Sequence, residues 1–313
     1  MVSIVIPCFN HARFVGAAIA SALAQVHASV EVLVVDDGST DGSAAVAERF
    51  PVRLVRQANL GLSRARNAGL LASRGDIVIF LDADDRLHPD AAARAAAALE
   101  RAPAAMMTFG RCRLIGEDGQ PLLTNLPAVT TDFYEELLRR NYIWMPAMAA
   151  YRRAVFDEVG LFDPSCSPGA DYDMYLRIAR RFDIVAHGAV VADYRQHTSN
   201  MSRDPVLMLT TTLRVLRKHR AAAMRSPRLR AAYIDGMRRW REFYGEHLVE
   251  RFRAGLHRRG GLHGAAVDAL LLLRFYPRGF VYHLRRKSAV TLRRARSAAV
   301  SLRTTHTSHS PSR

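Results

Sequence analysis

Apolar positions in the first hundred residues follow two alternating rhythms. Short, nearly unbroken apolar runs occur at "VSIVIP" (2–7), "VEVLVVDD" (30–37), "VRLVRQ" (52–57) and "DIVIFLD" (76–82). Such runs predict strands buried on both faces of a sheet. Between them, "ARFVGAAIASALAQ", "DGSAAVAERF", "LSRARNAGLLAS" and, after Pro89 and Asp90, "AAARAAAALERA" space their apolar residues as helices do. Ser39, Thr40 and Asp41 are candidate caps for the second helix. Strict alternation of strand and helix requires crossover connections, which predicts an α/β fold with a Rossmann-like, mostly parallel central sheet and helices on both faces. Sheets of this kind bind ligands beyond the carboxyl ends of their strands.

Past residue 104 the pattern loosens. "AMMTFGRCRLI" predicts a strand, "GEDGQP" a turn, "DFYEELLRR" a helix, "PAMAAYRR" a strand and "GADYDMYLRIARRF" a helix, with two short strands in "DIVAHGAVVADYRQH" closing the segment at residue 197. From Pro205 the chain reads as helix rich in Arg and Ala. These shifts predict one α/β domain over residues 1–204 in two halves, 1–103 and 104–204, then a basic helical extension over 205–303 and a disordered tail over 304–313.

Composition changes this picture only at the C-terminal end. With 49% hydrophobic and 24% charged residues among 313, the chain is globular in composition. Cys8, Cys112 and Cys166 lie far apart, which suggests neither a disulfide framework nor a zinc site and fits a reduced, cytoplasmic setting. The opening "MVSIVIPCFN" already reads as a strand, so export is not expected. The net charge of +16 is unevenly placed: residues 1–204 hold 21 Lys and Arg against 24 Asp and Glu, whereas residues 205–313 hold 24 against 5. Arginine clusters such as "RVLRKHR", "MRRWREF" and "LRRAR" alternate there with apolar stretches. The longest, "AAVDALLLLRFY", is interrupted by Asp268 and Arg274 and stops at Pro277, short of the ~20 apolar residues a bilayer span needs. Basic amphipathic helices gain about 1 kcal/mol per Lys or Arg beside anionic lipid, so 205–303 is expected to meet an anionic membrane surface peripherally; the plain alternative is a solvated appendage. No nucleic-acid motif accompanies the charge, and no nucleic-acid partner is expected.

The chemistry is concentrated where the predicted strands end. "VIFLDADDRL" runs from a buried strand into Asp82, Asp84 and Asp85. Asp82 and Asp84 stand two apart, pointing the same way in an extended chain. Like charges held that close are relieved by protonation or by a cation. Mg2+ or Mn2+ suits oxygen ligands and commonly takes one or two carboxylates with substrate phosphates completing its shell, so the pair points to a diphosphate. For Asp85 an acidic turn or helix cap before Pro89 is the plainer reading. Asp36 and Asp37 close the second strand, where a carboxylate can accept from ribose hydroxyls or a base N–H, although "DDGSTDGS" also reads as an Asx turn and cap. "PCFNHARFVG" holds no G-x-G-x-x-G, which disfavours nicotinamide and flavin cofactors.

Taken in order, "VSIVIPCFNHARFVGAAIASALAQ", "VVDDGSTDGS", "GLSRARNAGLLASRGDIVIFLDADD", "VGLFDP", "GADYDMYLRIAR" and "YRQHTSNMS" resemble a family 2 glycosyltransferase of the GT-A fold over about residues 2–203. The resemblance implies inverting, metal-dependent transfer of a sugar from a nucleotide-diphosphate donor, with UDP-sugar the leading class and dTDP-sugars next, to a hydroxyl of a glycan or lipid-linked acceptor. Residues 1–103 then form the nucleotide-sugar half and 104–204 the acceptor side. By the same resemblance Pro7, Phe9, Asn10 and Asp37 line base and ribose, and Arg66 and Asn67 reach the donor. Asp82 and Asp84 form the Asp-x-Asp element, Asp84 the better metal ligand and Asp82 closer to ribose and metal; His197 approaches metal or diphosphate. Asp171 is the implied base, with Asp173 its rival, and Ala170 stands where the family commonly has Glu. Acids in a helix's first turn also complement its dipole, which is the plain reading of both aspartates. Trp144 is either a platform for a sugar ring or core. Processive synthases carry Gln-x-x-Arg-Trp; here Gly236 precedes Arg239 and Trp240, so non-processive transfer is expected. The alternative is a catalytically weak or inactive nucleotide-sugar-binding protein of the same fold.

Overall fold

The computed structural model describes residues 1–26, 29–123, 129–257 and 261–285. The expectations for the tail at 304–313 and for the arginine clusters past 285 lie outside the described residues. In chain order the elements are β1 (Val2–Cys8), α1 (Val15–Leu23), β2 (Val30–Asp36), α2 (Ser43–Ala47), β3 (Arg53–Arg56), α3 (Leu62–Ala72), β4 (Ile77–Phe80), β5 (Arg86–Leu87) and α4 (Ala91–Arg101). There follow β6 (Ala105–Ile115), β7 (Pro121–Leu123), α5 (Phe133–Arg139), β8 (Ala149–Arg152), α6 (Val155–Val159), α7 (Ala170–Ala179) and β9 (Asp183–Arg195). The chain continues through α8 (Pro205–Lys218), α9 (Arg220–Ala223), α10 (Pro227–His257) and α11 (Leu262–Phe275).

Among the described residues nine strands form one sheet in the order β3-β2-β1-β4-β8-β6-β9-β5, with β7 beside β6. The first four pair in parallel, as crossover connections demand, and β1 and β2 are buried along almost their whole length. The second half is mixed: β8 lies antiparallel to β4 and β6, β5 antiparallel to β9, and β6 parallel to β9. Residues 183–197 hold one strand of 13 residues rather than two short ones, because its pairing with β6 shifts register beside Gly110 and Gly188 without ending. The two-residue β5 and three-residue β7 are too short to leave a periodic signal.

The chain forms two compact units, Met1–Arg239 and Trp240–Arg313, with the division inside α10. The first unit therefore runs beyond residue 204 and takes in α8. That helix begins on Asp204, whose carboxylate accepts from the N–H groups of Val206 and Leu207, with Pro205 at its first turn. It buries Leu209, Leu213, Val215 and Leu216 and packs against α7. In the second unit, α10 and α11 meet through the Arg251–Asp268 ion pair at 2.5 Å, and Phe252 meets Phe280 edge to face. No helix of the described residues is long and apolar enough to cross a membrane.

Helix α3 sits unusually close to the sheet. A Cβ on Gly69 would stand 2.2 Å from Val5 Cγ1 and 2.9 Å from Val35 Cγ2, both on fully buried valines, so this position accepts hydrogen alone. Gly69→Ala is expected to destabilise the first unit by about 1–3 kcal/mol through overpacking. Urea denaturation followed by circular dichroism checks it, and an unchanged midpoint would contradict the packing described.

Candidate functional site at the carboxyl ends of the parallel strands

The three carboxylates after β4 are separated by partners drawn from three places. Asp82 Oδ1 accepts from Arg66 Nη2 on α3 at 2.7 Å. Asp84 Oδ2 lies 2.9 Å from His197 Nε2, just past β9. Asp85, 1% exposed, accepts at Oδ1 from the Arg195 backbone N–H at 2.8 Å. Burial, reinforced by Asp84 and Asp82, pushes the pKa of Asp85 well above the usual carboxylate range, so a third negative charge in the turn is disfavoured. Arg195 also donates from Nε to the Asp84 carbonyl at 2.8 Å, so the last residue of β9 fixes the whole turn. Among the described residues one oxygen each of Asp82 and Asp84 has no protein partner, and their side chains are 27% and 15% exposed. Two open carboxylate oxygens fit a hard divalent cation that takes its remaining ligands from phosphate and water. His197 has both ring nitrogens engaged, Nδ1 with Ser199 Oγ at 2.8 Å, and its ring stacks on Phe14.

Arg66 is 1% exposed, and its Nε and Nη1 are buried without a hydrogen-bond partner. Burial opposes its charge, but the Asp82 and Asp171 carboxylates outweigh that and hold its pKa above the usual guanidinium range. Asp171, 9% exposed in the first turn of α7, has its pKa raised by burial to about 6, against the pull of Arg66 and with a further push from Asp82. One buried guanidinium thus faces both acids. Neighbouring Asn67 does different work: its amide donates to the Phe162 carbonyl and accepts from the Phe162 N–H, each at 2.9 Å, which fastens α3 to the segment leading to α7.

At the ends of β1 and β2, Pro7 is buried while Phe9 is 40% exposed beyond the strand. Asn10 adopts a left-handed conformation (φ 56°) and its Oδ1 accepts from the Thr40 N–H at 2.8 Å. Asp37, 3% exposed, accepts from Gln57 Nε2 at 2.7 Å and from the N–H groups of Leu60 at 2.9 Å and Gly61 at 2.8 Å. Its carboxylate therefore shapes the loop before α3. Gly38 lets that loop approach: its φ is +78°, and an added Cβ would lie 2.9 Å from the Asn59 backbone nitrogen.

Asp173, the rival acid, is 0% exposed; its Oδ2 accepts from Arg177 Nε at 2.9 Å, and Lys218 Nζ of α8 lies 2.8 Å from Oδ1 as an ion pair. Lys218 also meets Asp163 at 2.7 Å. Asp163, Cys166 and Asp173 gather at metal-ligand spacing, with the Lys218 ammonium among them at 3.6 Å from Cys166 Sγ supplying the positive charge. Ala170 is fully buried. Trp144 is 40% exposed, and the Ile79–Ala150 register carries the residues just after it toward the end of β4. Sequence reasoning missed Arg195 and Lys218, because their roles depend on contacts made 111 and 55 positions away.

With this geometry in view, comparison with known proteins is informative. The family described as Glycosyl transferase family 2 matches residues 3–160. Succinoglycan biosynthesis protein ExoO of Rhizobium meliloti is 34% identical over 188 residues, which is 55% of this chain and 53% of that protein. The chain spans less than two thirds of the length of such curated relatives. Among solved structures, a mannosyltransferase from Pyrobaculum calidifontis in complex with GDP-Man and Mn2+ aligns with a TM-score of 0.57 at 21% identity, covering 88% of this chain and 81% of that one. TarS 1–349 of S. aureus in complex with UDP-GlcNAc aligns at 0.53 with 16% identity, covering 89% and 92%. These likenesses establish the GT-A fold.

The buried acid has a consequence for stability. With its pKa raised to about 6, Asp171 holds a proton in the folded chain that the unfolded chain releases, so its favourable contribution is present below about pH 4 and lost as pH rises through 6. Asp171→Asn is therefore expected to be more stable than wild type at pH 7, by roughly 3 kcal/mol, with the gap narrowing toward pH 4. Urea melts at several pH values measure it; equal stability at pH 7 would count against the burial of a charged Asp171.

Proposed function

Because the chain belongs to glycosyl transferase family 2, we propose that it transfers a sugar with inversion from a nucleotide-diphosphate donor, a UDP-sugar first, to a hydroxyl of a glycan or lipid-linked acceptor, without processivity. The observation that carries this reading is the set of Asp82, Arg66 and Asp171: Asp82, with an open oxygen, is hydrogen-bonded to a buried arginine whose charge also acts on a second, buried acid of raised pKa. Donor-bound complexes are described for the Pyrobaculum mannosyltransferase, with GDP-Man and Mn2+, and for TarS, with UDP-GlcNAc. The ExoO name supports polysaccharide assembly as the setting.

In this reading Asp84 and Asp82 would hold Mg2+ or Mn2+ through their open oxygens, and the ion would supply positive charge opposite the departing diphosphate. His197 and Arg195 keep Asp84 aimed, and Arg66 keeps Asp82 aimed. Phe9 and Asn10 flank the base and ribose, and Asp37 and Asn67 contribute by fixing the loops around them. Asp171 takes the acceptor's proton as the new oxygen–carbon bond forms on one face of the anomeric carbon and the bond to phosphate breaks on the other, as inversion requires. A pKa of about 6 leaves this carboxylate ionised at neutral pH yet basic enough to accept a proton.

Asp171→Asn is expected to lower turnover at least about a hundredfold while leaving donor affinity near wild type. The wild-type rate is expected to fall on the acid side with an apparent pKa near 6. Asp84→Ala is expected to abolish the Mn2+-assisted part of UDP binding in calorimetry. Donor binding without turnover in the wild type against a panel of acceptors would instead support the binding-protein alternative. Full activity in both variants would defeat the assignment.

A further inference from the structure

Helix α11 of the second unit turns its polar and apolar residues the wrong way round for a solvated helix. Its only acidic residue, Asp268, is buried and held by Arg251 at 2.5 Å and 3.1 Å, beside buried Ala265 and Leu272. Leu262, Ala266, Leu270 and Leu273 recur at helical spacing on one outward arc. Leu262 is 70% exposed, Leu270 68% and Leu273 52%, values that leave most of each side chain in water. Isolated exposed leucines need no explanation, but an aligned row of them does.

We propose that this face docks on an anionic lipid bilayer, with the leucines entering the headgroup boundary and the flanking cations meeting lipid phosphates. Charge selects this occupant over a second copy of the chain. Residues 240–313 carry 15 Lys and Arg against 4 Asp and Glu, so two such units repel each other, whereas an anionic surface attracts them. Exposed Arg274 lies on the rim of the arc, and exposed Arg278 follows the helix. At 14 residues α11 is too short to span a bilayer, so it lies in the interface plane. This surface is independent of the proposed transfer chemistry.

The test is co-sedimentation of the full chain with vesicles of phosphatidylcholine alone and of phosphatidylcholine mixed with phosphatidylglycerol. Wild type is expected to pellet with the mixed vesicles and to stay in solution with phosphatidylcholine. Leu270→Ser/Leu273→Ser, which alters no charge, is expected to weaken partitioning by about tenfold or more. Leu262→Ser/Ala266→Ser is an independent pair on the same arc, and unchanged circular dichroism confirms that each variant is folded. Wild-type failure to bind mixed vesicles, or serine variants that bind as wild type does, would overturn the proposal. So would a wild-type dimer in gel filtration that the serine variants convert to monomer. None of these readouts uses turnover, so a failure here is distinct from a failure of the transferase assignment.

Discussion

The site rests on keeping three aspartates within four residues from expelling one another. A buried strand delivers Asp82, Asp84 and Asp85 to the surface together, and left alone their repulsion would open the turn. The fold answers each differently: a guanidinium for Asp82, an imidazole for Asp84, and a backbone N–H with a strongly raised pKa for Asp85. Because these partners come from α3, the residues after β9 and β9 itself, the turn is also where the two halves of the first unit are joined.

Helix α3 explains why this arrangement can be rigid. Gly69 sets it directly on β1 and β2, Asn67 fastens it to the backbone of Phe162, and the Asp37 carboxylate holds the loop that enters it. Arg66, on the same helix, is thereby held buried against Asp82. A buried guanidinium missing two hydrogen bonds is costly, and the negative charges of Asp82 and Asp171 offset that cost. The proposed base and the proposed metal-binding acid thus both act on one positive charge.

The basic segment proves to be two things. Its first helix, α8, belongs to the first unit: Lys218 reaches back to Asp163 and Asp173 and neutralises a buried acid at the base of the helix that carries Asp171. Past Arg239 the chain forms a separate unit with its own packing and its own strongly basic balance. A charge sum over the last third merges these roles, since it counts arginines without regard to what each one faces.

What the sequence by itself determined was whatever local pattern controls: the alternation of buried strands and helices, the convergence of acids at the strand ends, and the family membership carried by residues 3–160. The tertiary structure decided which of those polar residues are open and which are already engaged. Asp37 and Asn67 read from the sequence as donor contacts, and the structure adds that their side chains bind loops of the protein itself; Asp171 and Asp173 look equivalent in one helical turn, yet the first is buried without an ion-pair partner among the described residues while the second is paired with Arg177 and Lys218. The reason is physical: hydrogen-bond partners and burial are set by residues far away in the chain, and no spacing rule within a motif encodes them.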